Sequence, residues 1–182
     1  EDQDMWRISG IFRSVWVICK PKMEIADYFT HSQLFNDYRS ARFFTDIEVE
    51  SRDITASNVY VRVKLSYDGE EAAVLQSGLF SIAKNSNQKI NLQVDLEKVV
   101  LWSHEFPNLY DVQVELINDG NVIDCRKSHF GFREIKIEGM QNDKGPFIKL
   151  NGKVIKIFGV NRHEFHPDYG HAVSADLIEK DI

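Results

Sequence analysis

The stretch Val59-Tyr60-Val61-Arg62-Val63-Lys64-Leu65-Ser66 alternates apolar and polar residues without a break. Successive side chains of a strand point to opposite faces, so this period buries one face and wets the other. The pattern returns at Ile90, Leu92, Val94 and Leu96, and again at Tyr110, Val112, Val114 and Leu116. Turn signals punctuate such runs at Asp68-Gly69, Asp119-Gly120 and Asn151-Gly152. Asn, Asp and Gly tolerate the positive φ that tight hairpins require. From about Pro21 to Arg133 seven or eight short strands follow one another with no helical pattern. That spacing predicts a mainly β chain built on a two-sheet, immunoglobulin-like antiparallel sandwich.

The flanks read differently. Residues 1–20 join a polar, acidic start to the strand-like Ser14-Val15-Trp16-Val17-Ile18. Residues 146–160 predict a hairpin across Asn151-Gly152, with an apolar strand from Val154 to Val160. Ser174 is placed to cap a helix with Asp176 in its first turn. Strand, polar loop and helix is how a β/α unit begins. The chain opens on Glu1 without an initiator methionine and closes on Asp181-Ile182 inside a helical pattern, so both ends read as cuts.

The 182 residues are enough for one domain with a sizeable core plus pieces of neighbours. Hydrophobic residues at 43% and charged residues at 27% are ordinary for a globular protein and argue against disorder. A net charge of -6 offers no basic footprint for nucleic acid or an anionic membrane. No apolar run approaches the roughly 20 residues of a membrane span. Cys19 and Cys125 lie far apart and form no CxxC pattern, so two buried free thiols are expected, although sequence leaves their pairing open.

The loop Asn161-Arg162-His163-Glu164-Phe165-His166-Pro167 gathers an arginine, a carboxylate and two histidines just past an apolar run. Loops at the C-terminal ends of strands are where α/β barrels place active sites. Neutral His163 is able to donate a hydrogen bond to a substrate hydroxyl, and Arg162 to orient a carboxylate. On residue types alone the plainer reading is a solvated loop whose histidines cap backbone carbonyls. Zinc is disfavoured, because His163-Glu164-Phe165-His166 lacks the i, i+4 spacing that sets two ligands on one helix face.

Glu1-Asp2-Gln3-Asp4-Met5-Trp6-Arg7 sets carboxylates beside an indole, a combination suited to sugar hydroxyls and a pyranose face or to a hard cation. Its plain alternative is an exposed acidic segment. Structural roles are expected for His104 and His129, and Ser9, Ser77 and Ser103 sit in no nucleophile-elbow pattern.

Taken in order, these stretches resemble a known family. Asp2 to Arg13 resembles the end of the sugar-binding domain of large bacterial β-galactosidases of glycoside hydrolase family 2. Leu101-Trp102-Ser103-His104-Glu105-Phe106-Pro107-Asn108-Leu109-Tyr110 and Gly131-Phe132-Arg133-Glu134 are similar to their immunoglobulin-like second domain. Leu150-Asn151-Gly152-Lys153 and Gly159-Val160-Asn161-Arg162-His163-Glu164 resemble the entry into their catalytic barrel. Residues from about Glu24 to Ser86 carry no such motif and are placed by position.

The resemblance implies an internal region of a larger enzyme: the end of a jelly-roll sugar-binding domain (1–20), a sandwich (21–133) and the start of a (β/α)8 barrel (134–182). It implies retaining hydrolysis of terminal β-galactosides by a parent that is often a homo-oligomer. Asp4 then contacts the galactosyl group and helps bind sodium, and His163 stabilises the transition state. The catalytic glutamates and main magnesium ligands fall beyond Ile182, so the fragment alone is expected to be inactive. Arg162 and Glu164 match the motif without a role following for either, and no role follows for His166, since Phe165 stands before it where the family shows a histidine run. The compartment, cytoplasm or periplasm, stays open. From a different class, a non-catalytic carbohydrate- or protein-binding sandwich would carry its ligand patch on the sandwich itself.

Overall fold

The structure is a computed structural model and describes residues 10–139 and 145–182. It comprises two compact units, Lys20–Lys156 and a second one in which residues 10–19 join Ile157–Ile182.

The first unit contains β1 (Met23–Phe35), β2 (Ser40–Ser51), β3 (Ala56–Tyr67), β4 (Glu70–Gln76), β5 (Phe80–Ile82), β6 (Ser86–Leu96), β7 (Tyr110–Asn118) and β8 (Asn121–Phe130). One sheet runs β1-β2-β6 and the other β4-β3-β7-β8, with short β5 paired to β3; every pairing is antiparallel. This is the immunoglobulin-like sandwich that the alternation predicts. Val59, Val61, Val63 and Leu65 of β3 are fully buried. Arg62 and Lys64 between them reach across the outer face to Glu115 of β7. From β2, Phe43 meets Phe130 and Phe132 edge-on in the core, and Tyr110 closes on Phe132 at 4.8 Å. Offset and edge-on rings satisfy the aromatic quadrupole.

All three Asx-Gly pairs sit where the sequence places hairpin turns. Both residues of each pair have positive φ: 52° and 80° at Asp68-Gly69, 47° and 80° at Asp119-Gly120, 48° and 77° at Asn151-Gly152. Turns of that hand match the twist of the strands they join.

Two buried carboxylates knit the sandwich. Glu24 of β1 is paired with Lys20, Arg52 and Arg126. Asp124 of β8 accepts from the Ile25 backbone N–H at 2.9 Å, so this seam joins edge strands of the two sheets. Glu115 receives Arg62 at 2.6 Å, Lys64 at 3.1 Å and Gln113 at 2.6 Å. Burial alone would raise its pKa, but these donors outweigh burial and hold it below the usual carboxylate value.

A third, small sheet follows, with β9 (Ile135–Glu138), β10 (Phe147–Leu150) and β11 (Lys153–Ile155) in the order β11-β10-β9. Asn151 anchors it. Its backbone N–H donates to the Glu134 carbonyl, its side-chain oxygen accepts from the Glu134 N–H, and its amide donates to the Trp102 carbonyl at 3.0 Å. Tyr38 donates to the Glu134 carboxylate at 2.8 Å, and the Arg133 guanidinium lies 4.6 Å from the Trp102 ring centre.

Three expectations are corrected. Cys19 and Cys125 are free, as expected, but exposed rather than buried; Cys125 stands opposite Glu115 on the outward face of β8. Ser14 to Ile18 is not a strand, because no described strand pairs with it to satisfy its backbone. The strand expected from Val154 to Val160 ends at Ile155, and residues 157–160 run on exposed and outside any strand. His104 lies in an exposed bend, and exposed His129 pairs with Asp111 at 3.0 Å. Ser77 and Ser103 accept hydrogen bonds from nearby backbone N–H groups, as local structural residues do; Ser9 lies outside the described residues.

Candidate functional site

In the second unit the chain from Gly159 to Phe165 has no regular structure, then tightens into a small closed turn. His166 and Gly170 exchange backbone hydrogen bonds at 2.7 and 2.9 Å around Pro167, Asp168 and Tyr169. Gly170 makes this possible with a φ of 58°. The His166 ring stacks on Tyr169 at 4.8 Å, and its Nδ1 accepts from the Asp168 N–H at 3.1 Å. Beyond the turn, the Ser174 hydroxyl accepts from the Leu177 N–H and caps α1 (Ala175–Asp181), as the sequence predicts.

Most charged groups of the loop are already engaged. Arg162 holds Asp181 of α1 through two guanidinium contacts at 2.7 and 2.8 Å, so its carboxylate partner is within the fold. Glu164 is ion-paired with Arg13, whose guanidinium also donates to the His171 carbonyl at 3.1 Å. The Glu164 carbonyl contacts His171 Nδ1 at 2.7 Å, and Phe12 packs against the His171 ring at 5.8 Å. Residues 12 and 13 thus clamp the loop.

His163, between Arg162 and Glu164, is exposed and has no hydrogen bond or ion pair among the described residues. Of the loop's ionisable groups it is the one left for an external partner. Asp4 lies outside the described residues. A recess of about 230 Å³ beside the helix is lined by His166, Tyr169, Ser174, Asp176 and Lys180, and His163 does not border it. Among the described residues no three His, Cys, Asp or Glu side chains gather as a metal site. Arg13 is the site residue that sequence reasoning left without a role. Its signal was present, since it closes the Gly10-Ile11-Phe12-Arg13 run that belongs to the first motif.

The model of glycosyl hydrolases family 2 matches residues 23–133, and the TIM-barrel domain model of the same family matches residues 142–182. The chain belongs to glycosyl hydrolase family 2. Within family 2 the His163 loop therefore lies in the barrel-domain match, and the paired sheets in the sandwich match. A Bacteroides fragilis protein provisionally assigned as a beta-galactosidase superposes with a TM-score of 0.77 at 20% identity, over 89% of this chain and 24% of that one. A Bacteroides uniformis beta-glucuronidase gives 0.76 at 20% identity over 89% and 20%. A Ruminococcus gnavus beta-glucuronidase in complex with D-glucuronic acid gives 0.66 at 20% identity over 88% and 24%. At these identities the likeness concerns fold. The family 2 chain thus spans a quarter or less of the length of these structural relatives.

Proposed function

We propose that this chain is an internal region of a retaining β-galactosidase, in which His163 contacts sugar hydroxyls and stabilises the transition state. The observation that carries this reading is the freedom of His163 in a loop whose other charged residues are pinned. Arg162 is held by Asp181, Glu164 by Arg13, and His166 by its own turn. A histidine aimed outward from a braced loop is organised for an external hydroxyl without reorganisation cost.

The Arg13–Glu164 pair supports the companion proposal that Asp4 serves the same galactosyl pocket, since Arg13 closes the motif that holds Asp4. In a retaining enzyme one carboxyl attacks the anomeric carbon and another, roughly 5 Å away, protonates the leaving oxygen and later activates water. Both would come from barrel strands outside this chain, as would the main magnesium ligands. Sodium at Asp4 belongs to the same proposal.

The similarity to beta-glucuronidases supports a second reading, a parent that acts on glucuronides. The Asp-Gln-Asp-Met-Trp-Arg stretch favours galactosides. With the intact parent, kcat/KM for aryl β-galactoside and aryl β-glucuronide separates the two, and a preference for the glucuronide would overturn the first. The 182-residue chain alone is expected to hydrolyse neither. In the parent, His163→Ala should lower kcat by about 10²-fold or more with a smaller change in KM, because the lost contact strengthens in the transition state. An unchanged kcat would remove His163 from the mechanism.

A further inference from the structure

We infer that the outer face of the β1-β2-β6 sheet is a second carbohydrate site, a surface for a neutral oligosaccharide centred on Phe29. This face lies wholly within the sandwich unit, and the His163 loop belongs to the other unit.

Phe29 points outward from β1 and is 62% exposed, a large apolar ring left in water in mid-strand. It is packed on its neighbours nevertheless. His31 stacks on it at 5.3 Å, and His31 in turn stacks on Phe44 of β2 at 4.7 Å and 4°. A braced aromatic ring binds another flat apolar face at little entropic cost.

Beside Phe29 lies a shallow recess of about 180 Å³, lined also by Asp27, Asp46, Glu48, Lys89 and Asn91. Asn91 donates to Asp46, which fixes the orientation of both side chains. An aromatic face next to carboxylates, an amide and an ammonium matches a sugar ring, whose C–H face is apolar and whose rim is hydroxyl. Three carboxylates against one lysine repel an acidic sugar, so the ligand is neutral. Further along β1, Phe35 borders a second recess with Arg42 and Asp95, which neutralise each other in a two-pronged pair. Phe35 follows Phe29 by six residue steps along the strand, about 20 Å, which suits several linked sugars rather than one. The polar groups that interrupt the apolar rings make the face a poor match for an apolar protein partner.

The test uses the ¹⁵N-labelled 182-residue chain, titrated with linear β-1,4-linked tetraoses of glucose, galactose, mannose and xylose, and with tetragalacturonate as the acidic control. At least one neutral tetraose should shift backbone amides of β1, β2 and β6. Its affinity should fall by up to about tenfold in Phe29→Ala, the scale of one lost aromatic stacking contact. It should be retained in Phe29→Tyr and in Val122→Ala, an exposed apolar residue on the other sheet. Should Phe29→Ala not fold, Phe29→Leu takes its place with the same expectation. The proposal fails if no neutral tetraose shifts these amides, if only tetragalacturonate does, or if the shifts follow protein concentration without sugar, which would mark a contact between copies. No hydrolysis is measured, so this outcome is independent of the parent's activity.

Discussion

Glu115 is a carboxylate with little access to water, opposite two cations and an amide on the outer face of a sheet. Its folded pKa lies below its unfolded value, because Arg62, Lys64 and Gln113 outweigh the cost of burial. Its contribution to stability is therefore complete above the ordinary carboxylate range, about pH 4.3, and is lost as pH falls through the depressed folded value. Glu115→Gln should unfold more easily than the parent sequence in urea at pH 7, by about 1–3 kcal/mol. The gap should narrow steadily on acidification below about pH 5; a pH-independent gap would mean that packing, not charge, is lost. Residues of this kind were hard to read from sequence. Glu115 is one outward position in an ordinary alternating strand, and its partners lie 51 and 53 residues away. The pairing of Arg13 was illegible for the same reason, since its carboxylate partner is 151 residues distant. The His163 loop stands out in the sequence because its motif is local.

At the level of elements, the sequence signal was strongest where geometry is fixed by two residues. The three Asx-Gly turns needed positive φ, and few residue types supply it, so their positions survived unchanged. Strands were legible where two faces differ, as in β3, and misleading where apolar residues await a partner. Val15, Val17 and Val160 look like strand residues, yet among the described residues nothing pairs with them. The small β9–β11 sheet offers a sharp test. A Cβ at Gly152 would meet the Tyr38 ring at 3.0 Å with the backbone at a φ of 77°. Gly152→Ala should therefore cost about 1–3 kcal/mol. Hydrogen exchange should show faster opening of β9, β10 and β11, with β3 and β7 protected as before. Equal loss of protection in both sheets would show that they open as one unit.

For the whole molecule, alternation and turn spacing sufficed for the sandwich, because burial of one face of each strand leaves few other ways to close two sheets. The segments at its flanks were less legible, since many of their apolar residues are exposed here: Trp16, Val17 and Val160 are examples. Such stretches are good protease substrates. Limited trypsin digestion of the 182-residue chain should cut within residues 10–20 and 156–163 first, leaving a resistant product that covers most of Lys20–Lys156. Early cleavage inside β2 or β7 would contradict the division into units. The two thiols acquire a use from that same division. Cys19 belongs to one compact unit and Cys125 to the other, and both are open to solvent. The natural sequence therefore carries one labelling handle on each body. A pair of dyes or spin labels attached there would act as a molecular ruler between them, with no engineered residue needed.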